Sequence, residues 1–214
     1  MTWADLLALV QGATVTVSLS LLGIAFGVPL GLGLALLRWA RVPGVAPLLA
    51  AYVSVTRATP AVTLGLLIFF ALPSMGIEID PIPAAILTLA LNTASFNCEI
   101  WRSALLNFPR DQLEAAVSVG MTAGLRFRRI ILPQIVRTCL PALVSEMTLL
   151  IKSSPAIAVL GVVDITRAAV RIGAETYDPL PPFLTALVLY SLIVFVFVTA
   201  QRRLERRQLA GALA

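Results

Sequence analysis

Residues 6–37 read LLALVQGATVTVSLSLLGIAFGVPLGLGLALL and contain no charged side chain. The hydrocarbon core of a bilayer is about 30 Å thick, and a helix needs about 20 apolar residues to cross it. The stretch is also longer than the apolar region of a secretory signal, about 7–15 residues, and no Lys or Arg precedes it. We therefore expect a membrane-spanning helix that is retained in the protein, over about residues 14–37.

The composition of the whole chain predicts further membrane spans. Of the 214 residues, 59% are apolar and only 13% are charged, whereas a soluble domain carries roughly 25% charged residues. Four more apolar segments are long enough to cross, at about residues 48–72, 82–102, 133–160 and 180–201. Glu146, Lys152 and Pro155 interrupt the segment at 133–160, so we expect that span to be irregular. The prediction is an all-α membrane protein, a single domain over residues 1–214 with five transmembrane helices.

The distribution of arginine predicts how the chain crosses the membrane, because Lys and Arg are enriched in cytoplasmic loops. With the N-terminus outside, the cytoplasmic segments hold twelve arginines and the outer segments hold two. The twelve are Arg38, Arg41, Arg102, Arg110, Arg126, Arg128, Arg129, Arg137, Arg202, Arg203, Arg206 and Arg207, and the two are Arg167 and Arg171. We expect the N-terminus outside and the C-terminus in the cytoplasm. The net charge of +5 thus reflects membrane orientation and indicates no nucleic-acid partner.

The longest predicted cytoplasmic loop, about residues 103–132, contains the segment NFPRDQLEAAVSVG at 107–120. Asp111 and Glu114 have the spacing of a capping box, and Gly120 and Gly124 are helix stop signals. These signals predict a short amphipathic helix over about residues 110–124. Such a helix either docks into a groove of another protein or lies on the lipid headgroups, and the pattern alone favours neither.

The same loop carries a family resemblance. Glu114-Ala115-Ala116 is followed by Gly120, and Ile131-Leu132-Pro133 lies at the start of the next span. This combination resembles the permease subunits of bacterial ABC importers. Three further blocks are similar to the polar amino-acid branch of that family: TRATP at 56–60, CEIWR at 98–102, and IKSS at 151–154 with GVVDITR at 161–167. Departures from the usual pattern, at Ala58, Ser103, Ala104, Met121 and Pro155, leave the solute open among polar amino acids, opines and related compounds.

The resemblance implies a type I importer permease fold in the bacterial inner membrane and a defined set of partners. These are two cytoplasmic ATPase subunits that bind ATP and Mg, a second permease copy or a paralogue, and a solute-binding protein outside. It also implies that the 110–124 segment is a coupling helix, in which Glu114, Ala115, Ala116 and Gly120 contact the ATPase. We expect Gly120 to allow close approach of the two backbones.

The residues themselves support a separate ATPase. A phosphate-binding loop needs Gly-Lys-Ser/Thr, and the single lysine of this chain, Lys152, is preceded by Ile151. The chain is therefore predicted not to be an enzyme and to bind no cofactor of its own. It has no histidine, and Cys98 and Cys139 lie in apolar stretches, which argues against a metal site and a membrane-embedded enzyme. A channel or an ATP-independent carrier is the remaining alternative, although five spans without an internal duplication are unusual for a carrier.

Charged residues inside the spans predict a substrate pathway, because each costs about 2.5–3.5 kcal/mol to insert near a helix centre. Glu146 could receive an ammonium or guanidinium group, and Lys152 a carboxylate. The candidate pathway residues are Glu146, Lys152, Ser153, Ser154, Arg57 and Glu99. The alternative is structural, with Glu146 or Glu99 in an ion pair with Arg57 or Arg102. Gly27, Gly31 and Gly33 with Pro29 are expected to serve close helix packing or a kink.

Overall fold

The computed structural model describes residues 1–212, and this part of the chain is helical without any strand. The helices are α1 (Trp3–Trp39), α2 (Val45–Ala58), α3 (Ala61–Ser74), α4 (Pro81–Leu106), α5 (Arg110–Ser118), α6 (Ala123–Arg126), α7 (Leu132–Ser153), α8 (Ile165–Thr176) and α9 (Leu180–Ala212). A π-helical turn, Phe127–Ile131, joins α6 to α7, and a 3-10 helix, Ser154–Leu160, follows α7.

Helix α1 begins eleven residues before the expected span because its N-terminus is capped. The Thr2 side chain accepts a hydrogen bond from the Asp5 amide, and the Asp5 carboxylate accepts one from the Thr2 amide. This reciprocal pairing is a capping box, which satisfies two amides that a helix start leaves free. At 1.5 Å per residue, the 37 residues of α1 extend about 55 Å, well beyond the hydrocarbon core of a bilayer.

The segment expected to hold the second span, about residues 48–72, is not one continuous helix. It forms α2 and α3, which meet at an angle of 116°. Pro60 has no amide to continue the hydrogen-bond ladder of α2, and a residue that precedes proline is disfavoured in helical conformation. Thr59 is accordingly extended, with φ −89° and ψ 130°. The bend is therefore specified locally, by two neighbouring residues.

Among residues 1–212, three helical segments are long and apolar enough to cross a membrane: Trp3–Trp39, Ala123–Leu160 and Leu180–Ala200. The bent pair α2 and α3 makes a fourth if it counts as one span. Helix α4 has 26 residues and is long enough to cross, but it is less apolar than these segments. Its polar side chains are directed into the protein, where Thr88, Asn92, Thr93, Ser95 and Asn97 are buried. Burial of these groups keeps them away from lipid.

Helices α1 and α4 form the most extensive helix pair of the described structure, and a row of glycines brings them together. A Cβ atom on Gly23 would stand 2.7 Å from Leu89 Cβ, and one on Gly31 would stand 2.8 Å from Asn97 Cβ. Gly27 lies between them, four residues from each. Small residues at this spacing allow the backbones of membrane helices to approach closely. The packing role expected of Gly27 and Gly31 is confirmed, whereas Gly33 has no atom within 4 Å of the corresponding position.

The irregularity expected at about residues 133–160 is confirmed. Helix α7 ends at Ser153, and the chain continues as the tighter 3-10 helix with Pro155 in its first turn. Gly161, with φ +97°, ends that helix in the left-handed conformation that glycine adopts readily. Helix α3, the second half of the bent pair, packs against this 3-10 helix.

Candidate functional site

Helix α5 follows α4 after only three residues and is shorter than expected. The predicted helix over about residues 110–124 ends at Ser118. The Gly120 amide donates to the Val117 carbonyl at 2.9 Å, and the Met121 amide donates to the Ala116 carbonyl at 3.1 Å. This pair of bonds is a Schellman motif, which terminates a helix and turns the chain. At the other end, Asp111 lies in the first turn and no side chain caps the helix.

The backbone conformation at position 120 requires glycine. Its φ is +77°, which residues with a Cβ atom rarely adopt, and a Cβ there would meet no atom of this chain within 4 Å. The expectation that glycine allows close approach to the backbone of the ATPase at this position stays a prediction. Gly120 redirects the chain immediately after α5, and α6 begins three residues later at Ala123.

One face of α5 is held by the protein and the other is exposed. Ala116 is buried, and Leu113 packs against the hydrophobic cluster that includes Trp101, Leu105 and Ile135. Glu114, Ala115 and Gly120 are exposed, as are the apolar side chains of Val117 and Val119. The Gln134 side-chain amide of α7 donates to Gln112 Oε1 of α5 at 2.7 Å. Helix α5 is therefore fixed to the bundle and still presents an uncovered polar and apolar surface.

A groove of about 560 Å³ separates α5 from the end of α1 and from the π-helical turn. Its walls are largely apolar, with Trp39 from α1, Leu113 and Val117 from α5, and Phe127 from the π-helical turn. The Trp39 and Phe127 rings lie 6.5 Å apart between centroids. The end of α1 thus contacts the segment that follows α5 as well as α4.

A second set of candidate residues lies on α2 and α7, two of the helices that pack against α4. The Arg57 guanidinium lies over the Phe96 ring, 5.2 Å from its centroid, in a cation–π contact. Arg57 is exposed and Glu146 on α7 is half-buried, and the two side chains do not form a direct ion pair. Phe96 was missed by the sequence reasoning, because an aromatic residue on an apolar helix carries no distinguishing signal.

The residues at the end of α7 differ from the half-buried Glu146 in their exposure. Lys152 and Ser153 are exposed, whereas Ser154 is buried. The Ser153 and Ser154 hydroxyls donate to the carbonyls of Leu150 and Ile151, both at 2.9 Å, at the point where α7 tightens into the 3-10 helix. No ion pair joins Lys152 to Glu146. The structure thus brings Arg57 into contact with Phe96, and it places Glu146 within α7 and Lys152 at the end of that helix.

The Glu99 carboxylate accepts hydrogen bonds from two arginines. Its Oε2 accepts from Arg102 Nε at 3.0 Å and from Arg102 Nη2 at 2.8 Å, and its Oε1 accepts from Arg38 Nη1. The Glu99–Arg102 ion pair that the sequence offered as an alternative is therefore present. Arg38, 61 residues away along the chain, was interpreted from the sequence only as an orientation signal. Within the described residues no cluster of three or more metal-ligating His, Cys, Asp or Glu side chains is found.

Comparison with known proteins identifies relatives over almost the whole chain. Residues 27–209 match the protein family described as "Binding-protein-dependent transport system inner membrane component". The chain is 33% identical over 197 residues to the L-cystine transport system permease protein TcyB of Bacillus subtilis (strain 168), which covers 92% of this chain and 84% of that protein. It is 34% identical over 210 residues to the glutamine transport system permease protein GlnP of Escherichia coli (strain K12), covering 96% and 94% respectively.

Solved structures share the fold. A chain of the crystal structure of an amino acid ABC transporter with histidines has a TM-score of 0.86 and 31% identity, over 94% of each chain. A chain of the MetNI methionine ABC transporter in an inward-facing conformation has a TM-score of 0.82 and 24% identity, over 97% of this chain and 99% of that chain. From the family match and these relatives, the chain belongs to the family of inner membrane components of binding-protein-dependent transport systems.

Proposed function

We propose that this chain is the substrate-conducting membrane subunit of an ATP-driven importer for polar amino acids or related solutes. The observation that carries the proposal is the similarity, over more than nine tenths of the chain, to permease proteins of cystine, arginine and glutamine transport systems. In this proposal the exposed surface of α5 is the docking surface for the ATPase. Arg57, Phe96 and Glu146 line the pathway of the solute.

The proposed topology has five spans, with the N-terminus outside and the C-terminus in the cytoplasm. The spans are α1, the bent pair α2 and α3, α4, the segment Ala123–Leu160, and the first part of α9. Helix α4 is included because the polar side chains in its middle, from Thr88 to Asn97, are buried and would not meet lipid. The bias of twelve arginines against two supports this orientation, which places α5 in the cytoplasm.

The proposed energy source is a pair of separate ATPase subunits, which bind ATP and Mg, with one subunit seated on α5 of each permease. Glu114, Ala115 and Gly120 are exposed for this contact, and Ala116 fixes the helix to the bundle. A second permease, either a copy of this chain or a paralogue, completes the pathway. The description of the family as binding-protein-dependent supports a solute-binding protein on the outer side.

The proposed substrate pathway passes the cluster of Arg57, Phe96 and Glu146. A carboxylate and a guanidinium that are not paired with each other can bind the ammonium and the carboxylate of an amino acid. The Phe96 ring provides an aromatic face for a cationic group. Lys152, Ser153 and Ser154 belong to the same proposal because α7 loses its regular ladder there, and broken helices commonly line transporter sites. Glu99 is its weakest member, since both of its oxygens are engaged by arginines.

The proposal is tested by purifying the tagged chain with its co-expressed partners and measuring solute uptake into proteoliposomes. We expect stoichiometric co-purification of an ATPase and uptake of a polar amino acid that requires ATP and the binding protein. A channel or ATP-independent carrier would transport without an ATPase, and that result would contradict the proposal.

A further inference from the structure

Arg38, Glu99 and Arg102 form a cluster of three charges across two helices. Arg102 is three residues from Glu99 on α4, whereas Arg38 lies in the last turn of α1. The Arg38 side chain is 14% exposed and that of Glu99 is 23% exposed, so the bond between the two helices is largely withdrawn from solvent. Arg38 Nη1 also lies 3.7 Å from Cys98 Sγ. Arg38 is thus fixed against α4 by two neighbouring residues.

The charge balance shows what Arg38 adds. Arg102 donates twice to Glu99 and by itself neutralises this carboxylate within one helix. Arg38 is a second cation on the same carboxylate, and α4 does not need it for neutrality. Exposed ion pairs contribute little to stability, but charge-assisted bonds that are shielded from water are stronger and more directional. The specific contribution of Arg38 is therefore a link between α1 and α4.

The bond between Arg38 and Glu99 lies next to α5 in the fold. Helix α4 continues from Glu99 to Leu106, and α5 begins at Arg110. Trp39, the neighbour of Arg38, contacts Phe127 in the π-helical turn that follows α5 and α6. The end of α1 is therefore connected to the polypeptide on both sides of α5, by an ion pair before it and by a ring contact after it.

We propose that Arg38 is a positioning residue that makes α1 move together with α4 and α5 when the ATPase subunits close. This inference rests on the proposed function. A movement at the ATPase contact can affect a distant helix only through a structural connection whose arrangement depends on both. The row of glycines connects α1 to α4 only as far as Gly31, and the Arg38–Glu99 bond makes the connection at the end of α1, next to α5. Helix α1 would then carry the movement across the bundle. Without the bond, ATP hydrolysis proceeds while α1 follows incompletely, and less solute is transported per ATP.

The test compares Arg38→Gln with Arg102→Gln in the complete transporter reconstituted in proteoliposomes. Both variants lose one positive charge and one partner of Glu99, but only the first loses the link between helices. For Arg38→Gln we expect solute transported per ATP hydrolysed to fall about tenfold, the size associated with one charge-assisted hydrogen bond. For Arg102→Gln we expect a ratio within about twofold of the unmodified complex.

The outcomes separate this inference from the function on which it rests. Absence of ATP-driven uptake by the unmodified complex overturns the proposed function itself. Normal uptake by the unmodified complex, with the same transport-to-ATP ratio in both variants, overturns only the role of Arg38. If Arg38→Gln does not assemble, Arg38→Lys and Arg102→Lys are compared instead. Lysine keeps the charge, but its ammonium is one bond closer to the backbone than Arg38 Nη1, which spans from α1 to α4. The ratio should therefore fall about threefold at position 38 and remain unchanged at position 102; equal ratios overturn the proposal.

Discussion

Gly27 of α1 and Thr93 of α4 are in backbone-level contact. A Cβ atom on Gly27 would stand 2.6 Å from Thr93 Cβ and 2.8 Å from the Ala90 carbonyl oxygen. These distances are shorter than any van der Waals contact, and neither neighbour is the end of a flexible side chain. The two helices can therefore accommodate a side chain at this position only by moving apart.

Gly27→Ala is expected to destabilise the protein by about 1–3 kcal/mol, the usual cost of overpacking a close contact. Gly33→Ala is the matched control in the same helix, because a Cβ at Gly33 would meet no atom within 4 Å. Alanine is favoured over glycine in a helix by about 1 kcal/mol, so the control should be neutral or stabilising. The measurement is unfolding of the purified protein in detergent. Equal stability of the two variants would contradict the close packing.

Substitutions of Gly120 show whether glycine is needed for its backbone conformation or for close approach to the ATPase. Asparagine tolerates the left-handed region, whereas a β-branched residue does not. Gly120→Asn should retain most ATP-driven uptake, and Gly120→Val should lose it while still inserting into the membrane, as measured by labelling. If Asn is as damaging as Val, space at the partner contact is the requirement. Normal uptake by Gly120→Val would remove this residue from the coupling site.

Glu146→Gln is expected to weaken binding of a cationic amino acid. The substitution removes a carboxylate that would accept a charge-assisted bond worth about 1.5–3 kcal/mol, or roughly 10- to 150-fold in affinity. Equilibrium binding of arginine, glutamine and glutamate to the purified complex measures this effect. Glu175→Gln is the control, since Glu175 is an exposed carboxylate on α8, outside the proposed pathway. Unchanged affinity in Glu146→Gln would exclude Glu146 from the binding site.

The orientation is testable by cysteine labelling, because the natural thiols are buried: Cys98 is 0% exposed and Cys139 is 3% exposed. Val119, after α5, is 76% exposed, and Tyr177, after α8, is 93% exposed. A membrane-impermeant maleimide added to intact spheroplasts should label Tyr177→Cys and should label Val119→Cys only after lysis. The reverse pattern would mean that the arginine bias has been misinterpreted.

Local features of the sequence predicted part of this structure. The helical class follows from the long apolar segments, and the break after Ser153 was predicted by Pro155 together with the charged Lys152. Gly120 was recognised as a stop signal, but Gly124 was given equal weight, which extended α5 too far. The bend at Pro60 was missed because the preceding residues were interpreted as the beginning of a span.

Relationships between helices could not be predicted in the same way. Arg38 and Glu99 are 61 residues apart, and no periodicity within one helix reveals that they meet. The charge of Arg38 was used to orient the chain, and its bonding partner remained hidden. Phe96 gains its proposed role from Arg57, which approaches it from another helix. The row of glycines was recognised only in part, since Gly23 becomes notable only when Leu89 is placed opposite it.

Site-specific photo-crosslinking in intact cells determines whether the exposed surface after α5 contacts a cytoplasmic ATPase. A photoreactive residue in place of Val119 should capture the ATPase subunit, identified by mass spectrometry, whereas the same residue in place of Tyr177 should not. Capture of the ATPase from position 119, lost in the Gly120→Val background, is the predicted result. An efficiently inserted protein that captures no ATPase from position 119 would show that this surface is not the ATPase contact.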